Sequence, residues 1–403
     1  MKSNAYIPAL TGVRAIAAYL VFFHHFNQEG FPYPLFRIFN EFHMGVTLFF
    51  VLSGLLICLR YYDTCEITSD WFRKYIKNRI ARIYPMYLVL TIGTFVYAWY
   101  AKDNSVYNGF PYPIILILLN VFFLRGFFDG LKFTGLAQGW SLTVEECFYF
   151  SAPFFFRKIK KNPKAIYYLP FVVLGIGVLL VFIFSKINFY GFYGNYTFNF
   201  LYTFTGRCTE FFIGMFLALY LLKKDNVQRK GPWMTILGVI GMVIGVGIMA
   251  MMPLTEERKF GLYHPFGIVA NNLILPIGIS FLFYGLITER TWLQRFLSTK
   301  TMELLGKASY IYYLVHIGFI ATIASGFSKQ WVEKMFEYFY NNEIEWITKY
   351  DSVLWPVAEI GIVFIILNIV SIILYKTIEE PLNKYIRKSS LLEKRKPATV
   401  KAS

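Results

Sequence analysis

The chain has 403 residues, of which 56% are hydrophobic, 20% aromatic and 16% charged. Soluble domains have about 45–50% apolar and about 25% charged residues, so this composition excludes a water-soluble globular protein. The net charge of +16 does not indicate a nucleic-acid partner, because the Lys and Arg residues lie in short clusters between apolar runs, as topology signals do in membrane proteins.

Eleven apolar segments are candidates for membrane-spanning helices, each of which needs about 20 residues to cross a ~30 Å hydrocarbon core. The first contains Arg14 and lacks a small-residue cleavage site, so it is interpreted as a retained helix and not as a signal peptide. No soluble domain, linker or internal repeat is recognised. The segments cover 7–26, 43–60, 84–101, 112–128, 139–156, 166–185, 199–221, 232–252, 268–287, 308–325 and 353–376.

The distribution of basic residues decides which segments span. If all eleven cross and the N-terminus is inside, the basic cluster at 157–161 falls outside, against the positive-inside rule. Leaving out 112–128, which is short and bounded by Pro111 and Gly126, puts 28 Lys and Arg residues inside and 10 outside. We interpret that segment as re-entrant or interfacial, a structure tolerated at membrane depth only inside protein or a water-filled cavity.

The predicted fold is therefore an all-α membrane protein, a polytopic bundle of about ten transmembrane helices plus one re-entrant or interfacial segment. Both termini are expected in the cytoplasm. Residues 1–385 are predicted to form one membrane domain and residues 386–403 a basic cytoplasmic tail.

The first span contains Arg14, His24 and His25. Ionisable groups inside a membrane are costly, so each is a candidate for function. On a helix, Arg14 and His25 are separated by about 16 Å and point the same way, whereas His24 points about 100° elsewhere. That separation is similar to the reach of an extended pantetheine arm. The alternative is that Arg14 forms a structural ion pair and His25 is an interface residue.

Two further segments carry polar residues on one helical face. Arg79 and Arg82 are three residues apart, and their guanidinium groups suit a nucleotide phosphate. The alternative is that they anchor the helix at lipid phosphates. Ser141 and Glu145 are four residues apart near the outer end of their span, where Glu145 is expected to orient His25, raise its basicity or hold an acceptor hydroxyl.

Tyr310, Tyr313 and His316 form a polar stripe at a spacing of three, with ordinary aromatic packing as the alternative. Arg207 and Glu210 are also three apart and are a candidate for mutual neutralisation. Neither a metal-binding motif nor a phosphate-binding glycine loop is found, so no metal is expected.

Taken together, these residues resemble the acyltransferase 3 family of membrane acyltransferases. Arg14 and His25, with ten residues between them, correspond to the opening motif, and the resemblance extends from residue 7 to about 381. The other matching blocks, in chain order, are Gly45-Val46 with 49–54, Arg79-x-x-Arg82-Ile83-Tyr84-Pro85, Trp140-Ser141-Leu142-x-x-Glu145, Arg207-x-x-x-Phe211-x-x-Gly214, Ser309-Tyr310-x-x-Tyr313-Leu314-Val315-His316 and Glu380-Pro381.

The resemblance implies a ten-helix enzyme of a bacterial inner membrane. Such enzymes take an acyl group, often acetyl, from cytoplasmic acyl-CoA and place it on a sugar hydroxyl of an envelope glycan at the outer face. They rely on the residues that correspond to Arg14 and His25, and also require those that correspond to Arg79 and Arg82. Some relatives carry an extracytoplasmic hydrolase-like domain. None is recognised in this sequence, so it is expected to finish the transfer itself or to use a separate partner.

Two departures from the family pattern concern Thr47, where many members have an acidic residue, and Cys147, where many have Gln. Neither departure changes Arg14 or His25. We therefore expect the arginines to hold the phosphates of acyl-CoA, and His25 to act as general base or to take the acyl group briefly.

Glu145 is predicted to assist His25. The residues predicted to contact the acceptor are Trp140, Ser141, Arg207, Tyr310, Tyr313 and His316. The alternative function is a transporter or flippase of a lipid-linked glycan, with Arg14 and Arg207 along its path.

Overall fold

The computed structural model describes residues 6–27, 32–187, 189–224, 230–256, 258–342 and 350–389, and these form helices joined by loops. Most of the predicted tail at 386–403 lies outside the described residues. The helices are α1 Pro8–His25, α2 Tyr33–Asn40, α3 Met44–Tyr61, α4 Ser69–Ala101, α5 Pro113–Val121, α6 Gly139–Lys161, α7 Ala165–Phe184, α8 Tyr196–Tyr202, α9 Phe204–Lys223, α10 Trp233–Met251, α11 Pro265–Val269, α12 Leu275–Thr288, α13 Trp292–Leu297, α14 Lys300–Val315, α15 Phe319–Asn341, α16 Asp351–Leu374 and α17 Glu380–Lys388.

The helices have the length and surface of membrane spans. Among the residues that the structure describes, seven helical stretches are long and apolar enough to cross, and α14 with α15 makes an eighth if this bent pair is one span. Helices α1 and α6 are 18 and 23 residues long but contain more polar residues. With them, the helices correspond to the ten predicted spans. The chain is an all-α polytopic membrane protein.

The predicted non-spanning segment is short and irregular. Helix α5 has nine residues, about 14 Å of rise and too little to cross a bilayer. The turn after it is held by Arg125, which is fully buried and donates hydrogen bonds to the backbone carbonyls of Lys132, Thr134 and Leu136. Because the guanidinium satisfies these carbonyls, the irregular backbone is accommodated inside the protein.

The span predicted at 308–325 is not one continuous helix. Helix α14 ends at Val315, and α15 begins at Phe319 after a bend of 93°. Gly318 lies at the bend with a φ of +93°, a conformation that favours glycine. The break places His316 at the end of α14 instead of in the middle of a span.

Helix α1 is clamped between α3 and α14. A Cβ atom at Gly306 of α14 would lie 1.9 Å from the carbonyl oxygen of Thr11, and one at Gly45 would lie 2.2 Å from that of Ala17. Small residues at such crossings let helix backbones approach closely. The two contacts therefore fix the helix that carries both Arg14 and His25.

Candidate active site

A cavity of about 530 Å³ lies between α1, α3, α4, α6, α14 and α17. Its wall combines guanidinium groups with hydroxyls and a single carboxylate among the described residues, that of Glu145. The arginines are Arg14, Arg60, Arg79, Arg82 and Arg387, and the hydroxyl-bearing residues are Tyr6, Thr11, Ser53, Ser141, Tyr149, Ser309, Tyr310 and Tyr313. We call this space the arginine cavity.

Arg79 is held in this cavity by two aromatic rings. Its guanidinium carbon lies 5.3 Å from the ring centroid of Tyr61 and 5.5 Å from that of Tyr149, and one terminal nitrogen donates to the Tyr61 hydroxyl at 3.1 Å. The side chain is only 6% exposed, yet its Nε has no hydrogen-bond partner. A planar guanidinium that is oriented by stacking and keeps a free donor is suited to an oxyanion.

Glu145 lies in the same cavity and not beside His25. Its carboxylate accepts hydrogen bonds from the hydroxyls of Ser53 and Tyr149, and it interacts electrostatically with Arg14. Within the part of the chain that the structure describes, no hydrogen bond joins Glu145 to His25. The expected contact differs because Glu145 is six residues into α6, about 9 Å from its start, whereas His25 ends α1.

Four histidines form a second group, which we call the histidine cluster: His24, His25, His43 and His316. The ring of His25 lies 5.1 Å from that of His316 and 4.7 Å from that of His24, by centroids, and the ring of His24 lies 5.5 Å from that of His43. His25 is exposed, whereas His316 is fully buried. The cluster therefore has one face open to a second reactant.

The hydrogen bonds of His316 determine its tautomer. Its Nδ1 lies 2.6 Å from the backbone carbonyl oxygen of Tyr313, and a carbonyl can only accept, so Nδ1 carries the proton. Its Nε2 is buried without a partner. When the ring is neutral, this nitrogen is an acceptor whose lone pair lies inside the protein.

Tyr313 connects the two groups. Its hydroxyl lies in the arginine cavity, 2.8 Å from the hydroxyl of Ser141, while its ring lies 5.6 Å from that of His316. The cavity and the histidine cluster are therefore separated by one tyrosine side chain.

The predicted residues fall into three places. Two residues that were predicted to contact the acceptor, Trp140 and Arg207, lie neither in the arginine cavity nor in the histidine cluster. Trp140 is half-buried and packs edge-on against Tyr202 at 4.9 Å. In the arginine cavity are Arg14, Arg79, Arg82, Ser141, Glu145, Tyr310 and Tyr313, and in the histidine cluster are His25 and His316.

Arg207 is buried and forms an ion pair with Glu210 at 2.7 Å, so its guanidinium is occupied inside α9. A terminal nitrogen also donates to the hydroxyl of Thr47 at 3.0 Å. Thr47 is one of the two departures from the family pattern that the sequence resembles, and here Glu210 supplies the negative charge. The ion pair agrees with the alternative in which Arg207 and Glu210 neutralise each other.

Sequence reasoning missed Arg60 and Arg387, both of which line the arginine cavity. Arg60 ends α3 and Arg387 lies in α17, where basic residues are ordinary topology signals. Nothing in their spacing distinguishes them from such signals. It also missed Ser53 and Tyr149, the partners of Glu145. In the described part of the chain, no group of three or more His, Cys, Asp or Glu residues is arranged to hold a metal ion.

The model of the acyltransferase domain family Acyl_transf_3 matches residues 7–376, nearly the whole chain. The chain belongs to the acyltransferase 3 family. Every residue of the arginine cavity except Tyr6 and Arg387, and all four members of the histidine cluster, lie in the part that matches the family.

Relatives from Staphylococcus aureus share this region. The O-acetyltransferase OatA of strain NCTC 8325 is 24% identical over 348 residues, which are 81% of this chain and 52% of OatA. A protein of strain COL, provisionally named as an O-acetyltransferase, is 24% identical over 342 residues, 80% of this chain and 52% of the relative. The chain thus spans about half the length of these curated relatives. No solved structure matches it significantly.

Proposed function

We propose that this protein is a membrane O-acyltransferase that moves an acyl group, specifically acetyl, from cytoplasmic acyl-CoA to a hydroxyl of a carbohydrate or glycolipid acceptor at the outer face of the membrane. The observation that carries the proposal is the juxtaposition of the arginine cavity with the histidine cluster across Tyr313. One group suits a phosphorylated donor and the other suits proton transfer.

The donor end is the arginine cavity. Five guanidinium groups face one carboxylate among its described lining residues, and the free Nε of Arg79 is a buried donor without a partner. Phosphates satisfy both features, because they supply negative charge and acceptor oxygens to guanidinium groups. The wall also includes Leu10, Phe49 and Phe50, apolar surface that suits the slender pantetheine arm.

The chemical step belongs to the histidine cluster. The neutral imidazole of His25 takes the proton of the acceptor hydroxyl while the hydroxyl oxygen attacks the thioester carbonyl carbon. The carbon–sulfur bond then breaks, the ester remains on the sugar, and the departing thiolate takes the proton from the imidazolium. A positioned base of this kind contributes about 10²–10⁴-fold to a rate. His25 is exposed, which suits contact with a bulky glycan.

The orientation follows from the charges. The basic clusters favour cytoplasmic termini, which places the arginine cavity toward the cytoplasm and His25 toward the outer face of a bacterial inner membrane. Acetyl-CoA then stays inside while the acceptor stays outside. Trp140 and Tyr202 pack together at the N-terminal end of α6, which is the outer end in this orientation. Aromatic rings at this position suit contact with a sugar ring.

The test is transfer of radiolabelled acetyl from acetyl-CoA in inverted membrane vesicles that contain envelope glycan. We expect wild type to label the glycan and His25→Ala to lose about 10²-fold or more of the rate. His264→Ala is the matched control, since the His264 side chain accepts a hydrogen bond from the backbone N–H of Phe266 at the start of α11, and it should transfer like wild type. Full activity of His25→Ala would contradict the assignment. Solute uptake without any labelled product would instead indicate a transporter.

A further inference from the structure

Helix α17 lies beyond residue 376, where the family match ends. It packs against α4, and the Nζ of Lys77 in α4 donates to the backbone carbonyl of Ser389, just after α17, at 2.9 Å. This contact holds the end of α17 against the arginine cavity. As a result Arg387 lines the cavity together with the arginines of α1, α3 and α4.

Arg387 and Arg60 both line the arginine cavity. Arg60 is exposed at the end of α3 and Arg387 is half-buried near the end of α17. Arg387 interacts electrostatically with Arg60, Arg79 and Arg82, and its Nε is buried without a hydrogen-bond partner. No salt bridge joins Arg60 or Arg387 to a carboxylate among the described residues. Arg60, Arg79, Arg82 and Arg387 line one cavity; Glu379 offsets part of the charge of Arg82, and a bound anion would offset more of the total.

The exposed position of Arg60 indicates which part of the donor molecule would lie next to Arg60 and Arg387. The acyl group must approach Tyr313 and the histidine cluster, so the opposite end of the donor lies at the edge where Arg60 is exposed. In coenzyme A that end is the adenosine with its ribose 3′-phosphate. A phosphate monoester carries about −1.5 to −2 charges at pH 7 and accepts paired hydrogen bonds from guanidinium groups.

We propose that Arg60 and Arg387 bind the 3′-phosphate of coenzyme A and make the protein selective for coenzyme A over dephospho-coenzyme A. The inference rests on the proposed acyl-CoA donor and adds a specificity determinant to it. Arg14, Arg79 and Arg82 are then left for the pyrophosphate. Arg387 itself lies beyond the residues that the family model matches.

The test compares the affinities of the purified full-length protein, in lipid nanodiscs, for coenzyme A and for dephospho-coenzyme A. We expect wild type to bind coenzyme A about 10-fold or more tightly, the size of one or two charge-assisted hydrogen bonds. Arg387→Gln should bring the ratio close to one by weakening only the binding of coenzyme A. Arg387→Lys, which keeps the charge, should restore part of the ratio.

Lys388→Gln is the matched control, because Lys388 is the exposed neighbour on the same helix and does not line the cavity. It should keep the wild-type ratio. Equal affinities of wild type for both ligands would overturn the inference and leave the acyl-CoA donor intact. An equal loss of both affinities in Arg387→Gln would also overturn it, and would assign Arg387 to folding or to a lipid headgroup. Absence of any coenzyme A binding would overturn both the inference and the proposed donor.

Discussion

The arginine cavity and the histidine cluster each include residues of α1, and they differ in which buried polar atoms lack a hydrogen-bond partner. In the cavity the unpartnered buried atoms are guanidinium donors, those of Arg79 and Arg387, whereas in the cluster the unpartnered atom is the imidazole Nε2 of His316. A free donor beside several positive charges suits an anion, and a free acceptor nitrogen on an imidazole suits a hydrogen-bond donor. This difference is what the proposed function uses, with the donor at the cavity and the chemical step at the cluster.

Under the proposed function, the close packing of α1 keeps Arg14 and His25 at a fixed separation. Arg14 and His25 lie about 16 Å apart along one uninterrupted helix, and the close contacts of Gly306 and Gly45 fix that helix against α14 and α3. A transfer reaction needs its donor and its base within about half an ångström of the productive geometry. A rigid helix provides that precision more readily than a loop does.

The largest effect that separates the two regions is expected from Arg79→Gln. The change removes a charge stacked between Tyr61 and Tyr149, and it should weaken coenzyme A binding about 10–100-fold, as expected for loss of one or two charge-assisted hydrogen bonds. Titration of coenzyme A into purified protein measures this. Lys74→Gln, an exposed site on the same helix, is the control. If Arg79→Gln bound coenzyme A with unchanged affinity, the assignment of the arginine cavity to donor binding would be wrong.

A smaller effect is expected at the boundary between the regions. Tyr313→Phe removes the hydroxyl that lies 2.8 Å from Ser141 and keeps the ring next to His316. One neutral hydrogen bond is worth about 1 kcal/mol, so the transfer rate should fall roughly 5-fold while coenzyme A affinity stays within about 2-fold. Steady-state kinetics with a saturating donor tests this. A drop in donor affinity equal to the drop in rate would place Tyr313 in the binding site alone.

The smallest effect on donor binding is expected from Arg207→Gln. Arg207 is buried and paired with Glu210 outside the cavity, so breaking the pair should destabilise the fold by about 3–5 kcal/mol without changing coenzyme A affinity in the folded fraction. Thermal unfolding and coenzyme A titration of the same sample measure both quantities. If Arg207→Gln weakened binding as much as Arg79→Gln, the distinction between paired and unpaired arginines would fail.

Local periodicity was enough to predict part of this site. The helical repeat aligns Arg14 with His25 and Arg79 with Arg82, and counting basic residues identified 112–128 as the segment that does not span. What could not be predicted depends on contacts between distant segments. Arg60 and Arg387 are 327 positions apart in the sequence, and no local pattern shows that they line the same cavity.

The depth of Glu145 in the membrane domain and the bend at Gly318 could not be predicted from the sequence either. Glu145 was expected beside His25 because both belong to the outer half of a span, but helices start at different heights, and α6 carries Glu145 to the arginine side. The bend at Gly318 likewise depends on backbone conformation. Apolar residues continue through it, so hydropathy alone predicts one span.

The most direct test of the account measures two quantities on two variants in the same preparation: coenzyme A affinity and acetyl transfer for His25→Ala and Arg79→Gln. The account predicts that His25→Ala binds coenzyme A like wild type and loses transfer by about 10²-fold or more. It predicts that Arg79→Gln binds weakly but transfers at a rate near that of wild type once the donor is saturating. Loss of coenzyme A binding in His25→Ala, together with normal binding in Arg79→Gln, would contradict the division of the molecule into a donor end and a chemical end.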